Sequence, residues 1–111
     1  MQKDLHVLKP IYDTTSILES IKETLENGWT GDGGKTKEFE AAWSDYSKWK
    51  FSIYVNSCTA ALHLALLILK DKYPNKKRVL VPDITFVSTA AVVAQCGLEL
   101  ELVDIDEDLI I

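Results

Sequence analysis

The chain has 111 residues, 47% of them hydrophobic and 26% charged, which is the balance of an ordinary globular protein with room for at most one domain. Its formal net charge of -5 leaves no basic excess to cover phosphates, so nucleic acid and anionic membrane are excluded as natural partners and any phosphate must be gripped locally. The longest apolar run, Ala60 to Leu69, is interrupted by His63 and falls short of the roughly 20 residues that span a bilayer, so no membrane helix is expected.

The opening stretch, MQKDLHVLKP, carries Asp4 and His6 and has no continuous apolar segment with a small-residue cleavage site; it does not read as a secretory signal, and the expected compartment is the cytoplasm. From Thr14 to Asn27 the apolar positions Ile17, Ile21 and Leu25 recur every four residues, with Glu19, Lys22, Glu23 and Glu26 between them, which predicts an amphipathic helix closed by Asn27-Gly28. Trp29 to Lys35 is a glycine-rich loop. A second helix is expected to begin near Thr36, with Phe39, Ala42, Trp43 and Tyr46 on its apolar face.

Beyond residue 50 the period changes. Phe51 to Val55 reads as a strand, Asn56-Ser57 as a helix cap, and the apolar run after it as a helix. Asp71 to Lys77 is a polar connection to a second strand at Val79-Leu80-Val81, which stops at Pro82. Thr85 to Gln95 predicts a helix ending at Cys96-Gly97, and Leu98 to Val103 a third strand before the acidic Asp104 to Asp108. The order is αα followed by βαβαβ, an α/β architecture with a mostly parallel sheet. It divides into a helical segment with a glycine-rich loop over 1–50 and the start of the sheet over 51–111. Parallel sheets are usually larger and covered on both faces, so the chain is expected to be part of a larger enzyme, the alternative being a short protein that closes its sheet by dimerising. Cys58 and Cys96 form no C-x-x-C pair and are read as reduced thiols.

The chemistry is expected at two turns. In Asn56-Ser57-Cys58-Thr59-Ala60-Ala61-Leu62 a strand meets a helix, whose unpaired first N–H groups and dipole bind phosphate without a basic side chain. Ser57 and Thr59 add hydroxyls, and small residues allow close approach. Simple capping by Ser57 explains the same residues equally well. In Pro82-Asp83-Ile84-Thr85-Phe86, which leaves the carboxyl end of the next strand, Phe86 is available to stack on a flat heteroaromatic ring, although a core role is the commoner fate of such a residue.

Taken together, G-W-T-G-D-G-G-K-T-K-E-F-E (28–40), V-N-S-C-T-A-A-L-H-L-A-L (55–66), V-P-D-I-T-F-V-S-T-A (81–90) and V-D-I-D (103–106) resemble, in order and spacing, the DegT-type aminotransferases that act on nucleotide-linked sugars. The resemblance covers nearly the whole chain. It implies the N-terminal part of the large domain of a fold-type I transferase dependent on pyridoxal 5′-phosphate (PLP), and a homodimer that moves an amino group from glutamate to a keto-sugar carried on a nucleotide diphosphate. It also implies that Ser57 and the backbone of Cys58 and Thr59 hold the PLP phosphate and that Phe86 stacks on the pyridine ring. The family commonly has Gly or Ala where this chain has Cys58. The Schiff-base lysine and the acid facing the pyridine nitrogen are expected beyond Ile111, so the 111 residues alone are expected to be inactive. A related sugar dehydratase with histidine in place of the lysine, or a noncatalytic dimerising remnant, are the rival readings.

Other features are expected to be structural. Gly31-Asp32-Gly33-Gly34-Lys35-Thr36 resembles a nucleotide-binding P-loop, but the register puts Trp29 where the first glycine belongs and the stretch follows a helix; a flexible connection is expected. His63 reads as a satisfied core histidine, with no metal ligands spaced around it. The acidic run at 104–108 lacks calcium-loop spacing and reads as a solvated turn, and Trp29, Trp43 and Trp49 read as packing anchors.

Overall fold

The computed structural model describes residues 10–108 and residue 110. Asp4 and His6 lie outside the described residues. Two compact units divide the chain between Tyr54 and Val55.

The first unit holds two helices. α1 (Thr14–Glu26) begins where the Asp13 side chain accepts the Ser16 N–H at 3.3 Å and ends at Gly28, whose φ of 70° is the left-handed turn a glycine makes without strain. The stripe Ile17, Ile21 and Leu25 is present but exposed. α2 (Gly34–Ser47) begins two residues ahead of the expected start near Thr36, because Gly33 serves as its N-cap and its carbonyl already accepts the Lys37 N–H. The expected flexible connection between the helices is instead wound about Trp29. The indole N–H donates to the Asp32 carbonyl at 2.8 Å, and Lys35 reaches Glu23 of α1 at 2.9 Å and Glu38 of α2 at 3.2 Å. Along α2, Phe39, Trp43 and Tyr46 form a ladder of rings 5.6 to 6.3 Å apart. All three tryptophans keep half or more of their surface exposed, while Trp29 packs on the glycine loop and Trp43 within the ring ladder.

Phe51 to Val55, expected as the first strand, is not a strand. A strand exists only with a partner to take its backbone groups, and none pairs with this segment among the described residues. Side chains of α2 take that place: the Tyr54 N–H donates to Glu40 Oε1 at 2.7 Å, and the Ser44 hydroxyl meets Ser52 Oγ at 2.8 Å.

The second unit carries the α/β layer. α3 (Cys58–Lys72) is followed by β1 (Arg78–Pro82), α4 (Val87–Gln95) and β2 (Glu99–Val103). β1 and β2 pair in parallel, Arg78 opposite Glu99 and Pro82 opposite Val103, with α4 as the crossover that parallel strands require. The sheet has two strands rather than three because residues 51–55 do not join it. Val81 of β1 and Val92, Val93 and Cys96 at the end of α4 are the buried core. α4 packs against α3 and lies over both strands. It starts at Val87, two residues later than expected, because Phe86 has extended backbone (φ −71°, ψ 138°). It ends in a paired turn, with Leu98 N–H to Val93 O and Gly97 N–H to Ala94 O, that closes over Gly97 at φ 64°. The architecture is α/β, as expected for the N-terminal part of a fold-type I transferase domain.

Candidate functional site

Short connections join the ends of α3 and α4 to the beginnings of β1 and β2, so each helix C-terminus sits at the amino edge of the sheet. The ammonium of Lys70, near the end of α3, donates to the Cys96 carbonyl at the end of α4 at 2.6 Å, tying those ends together. The helix starts accordingly point toward the carboxyl edge, where open α/β sheets hold their ligands.

Ser57 is the N-cap of α3. Its Oγ accepts the Ala60 N–H at 3.1 Å and its hydroxyl donates to Asn56 Oδ1 at 3.4 Å, while its carbonyl accepts the Ala61 N–H. The Ser57 side chain therefore satisfies one of the orphan donors that open the helix, the Ala60 N–H, and the Ala61 bond to the Ser57 carbonyl is the first ordinary turn of the helix. The N–H groups of Cys58 and Thr59 have no acceptor among the described residues. They sit at the positive end of a 15-residue helix, beside an exposed thiol and a half-buried threonine, with no bulky side chain of their own to shield them.

Phe86 is the N-cap of α4 and is 74% exposed, so it is not the core residue that aromatic side chains usually become. It offers α4 no side-chain cap; Thr85 instead donates its hydroxyl to Thr89 Oγ1 at 3.1 Å. The two turns singled out in the sequence are thus the starting turns of two helices that pack on each other.

The other expectations fall out as follows. Lys35, the lysine of the P-loop-like stretch, is held by two carboxylates, and its pKa is raised above the usual 10.5 by the hydrogen bond to Glu23 and then that to Glu38. The adjoining cavity of about 160 Å³, lined by Thr24, Asn27, Trp29 and Lys35, therefore opens onto carboxylates and has no free ammonium for a phosphate. His63 is half-buried and its ring has no hydrogen-bond partner among the described residues, so it is neither deep nor satisfied as expected; its carbonyl takes a weak contact from Cys96 Sγ at 3.9 Å. Asp106 closes the acidic turn by accepting the Asp108 and Ile110 N–H groups with one oxygen. Glu40, which anchors Tyr54, gave no signal of its role in the sequence, since a carboxylate on a helix at that spacing reads as a solvated face.

Residues 12–111 match the DegT/DnrJ/EryC1/StrS aminotransferase family. The chain belongs to this family. Over 91 residues it is 38% identical to the spore coat polysaccharide biosynthesis protein SpsC of Bacillus subtilis and 36% identical to the uncharacterized protein MJ1066 of Methanocaldococcus jannaschii. Each match covers 82% of this chain and 23% of the relative, so the chain spans less than a quarter of the length of these curated relatives. PLP-dependent enzymes of this kind must hold a phosphate and a flat ring. The residues present fit that demand: two unpaired amides at a helix start and an exposed phenylalanine opening the neighbouring helix. Within the described residues no helix is long and apolar enough to cross a membrane.

Proposed function

We propose that the protein is a PLP-dependent aminotransferase that moves the amino group of glutamate to a keto-sugar linked to a nucleotide diphosphate, working as a homodimer in the cytoplasm. The observation that carries this reading is the pair of free amides at Cys58 and Thr59, presented by a capped helix in this chain's V-N-S-C-T-A-A stretch, which lies inside the residues that match the family. Membership in an aminotransferase family supports the transfer chemistry, and the polysaccharide role in the name of SpsC supports a sugar acceptor.

PLP, when bound, supplies an aldehyde and an electron-withdrawing ring through which an amino group passes between substrates. The residues of this chain serve to hold it. The Cys58 and Thr59 amides donate to the phosphate, the Thr59 hydroxyl adds a third donor, and Ser57 keeps those amides pointed outward by capping the next one. The exposed ring of Phe86 covers one face of the pyridine. The departure at Cys58 leaves the grip intact because it is the backbone that binds. The lysines at 22, 35, 48 and 70 are engaged by carboxylates or a carbonyl.

The test is to express the complete reading frame, supply PLP, glutamate and a nucleotide-linked keto-sugar, and follow the sugar by mass spectrometry. The expected product has an amino group in place of the keto oxygen, with 2-oxoglutarate formed alongside. A product that has lost water without gaining nitrogen identifies a dehydratase, and absence of both turnover and PLP binding abolishes the enzymatic reading.

A further inference from the structure

The segment entering the cofactor turn is anchored by side chains of α2 rather than by a sheet. The Tyr54 N–H lies 2.7 Å from Glu40 Oε1, the Ser44 and Ser52 hydroxyls meet at 2.8 Å, and the Tyr54 ring packs edge-on against Phe39 with centroids 5.9 Å apart. Glu40 is half-buried, and a carboxylate taken partly out of water requires a strong donor in return. Only Val55 and Asn56 stand between the anchored Tyr54 and the Ser57 cap.

We infer that Glu40 is a positioning residue for the phosphate cradle: its carboxylate fixes the Tyr54 amide and so limits the freedom of the short chain entering the Ser57 turn. The inference rests on reading the Cys58 and Thr59 amides as that cradle. A bond of this kind acts through entropy. Each backbone residue left free must be ordered when ligand binds, so releasing Tyr54 charges that ordering to the binding step.

The probe is pyridoxine 5′-phosphate, which has the ring and phosphate of the cofactor but no aldehyde to react with surface lysines. It is titrated into the isotope-labelled chain while amide signals of Tyr54, Cys58 and Thr59 are followed by NMR, with circular dichroism reporting the fold. In the wild type the Cys58 and Thr59 signals are expected to shift saturably. Glu40→Ala is expected to raise the half-saturation concentration about tenfold, equivalent to about 1.4 kcal/mol, with the same signals still shifting. Glu40→Gln keeps an oxygen acceptor and is expected to stay within about threefold of wild type, since the neutral bond is roughly half as strong. If Glu40→Ala does not fold, Glu40→Asp keeps the charge but draws the carboxylate one methylene back from the Tyr54 N–H and is expected to weaken binding by about the same factor.

A folded Glu40→Ala that binds as wild type overturns the inference while leaving the cradle standing. So does Glu40→Gln binding as weakly as Glu40→Ala, or a Glu40→Asp substituted for Glu40→Ala that binds unchanged. A wild-type chain whose Cys58 and Thr59 signals do not respond removes the cradle reading, and the role of Glu40 falls with it.

Discussion

A Cβ built on Gly33 would lie 2.6 Å from Cδ1 and 2.7 Å from Nε1 of Trp29, closer than real atoms approach, whereas one on Gly31 would lie 3.9 Å from the same ring. The two glycines look alike in the sequence but do different work. Gly33→Ala must push the indole off its hydrogen bond to Asp32 and is expected to destabilise the loop by about 1–2 kcal/mol, the range for overpacking and a lost hydrogen bond. Gly31→Ala adds an ordinary contact and is expected to change stability by less than about 0.5 kcal/mol. Thermal unfolding followed by tryptophan fluorescence compares them, and equal effects would refute the packing of the indole on Gly33. That the loop holds glycines is plain from the sequence. Which glycine is obligatory depends on where an indole lands, and periodicity carries no information about that.

Between elements, two lysines make different ties. Lys70 joins α3 to α4 through one short, half-buried bond to the Cys96 carbonyl, at the negative end of the α4 dipole. Lys70→Met keeps the aliphatic stem but leaves that carbonyl without its ammonium, and is expected to cost about 1–3 kcal/mol in thermal unfolding. Lys35 joins α1 to α2 through exposed carboxylates. Its raised pKa means that the folded state holds the proton more tightly than the unfolded one. The stabilisation is thus fully present below the unfolded pKa and disappears as pH rises through the raised value, in the alkaline range above about 10.5. Wild type and Lys35→Met are expected to differ by a small amount that is constant between pH 7 and 9, shrinks at high salt, and vanishes at strongly alkaline pH. A difference that grows with pH would contradict this assignment. The ends of α1 and α4, by contrast, were legible to within one residue, because Gly28 and Gly97 stop helices by their own backbone preferences, whereas α3 runs to Lys72, past its apolar run.

At the scale of the whole molecule the question is which part of the proposed chemistry these residues contain. A borohydride trap after incubating the 111-residue chain with PLP is expected to label exposed lysines weakly and without preference. A single stoichiometric site would show that a cofactor-bearing lysine is present after all. Many large apolar side chains, from Ile17 and Leu25 to Leu69 and Leu80, are exposed, and the chain spans under a quarter of its relatives. Amphipathic faces can be read from spacing, but spacing does not name what will cover them.

The sequence by itself determined the family, the α/β class and the two helix-opening turns, because capping residues, glycine stops and hydrophobic period are local properties that a linear chain displays. Only the tertiary structure decided that residues 51–55 are held by Glu40 and Ser44 instead of a neighbouring strand, that Phe86 stands exposed, and that Ser57 leaves two amides unpaired. Each of those outcomes turns on which group lies opposite a given backbone or ring, and that is settled by atoms distant in sequence.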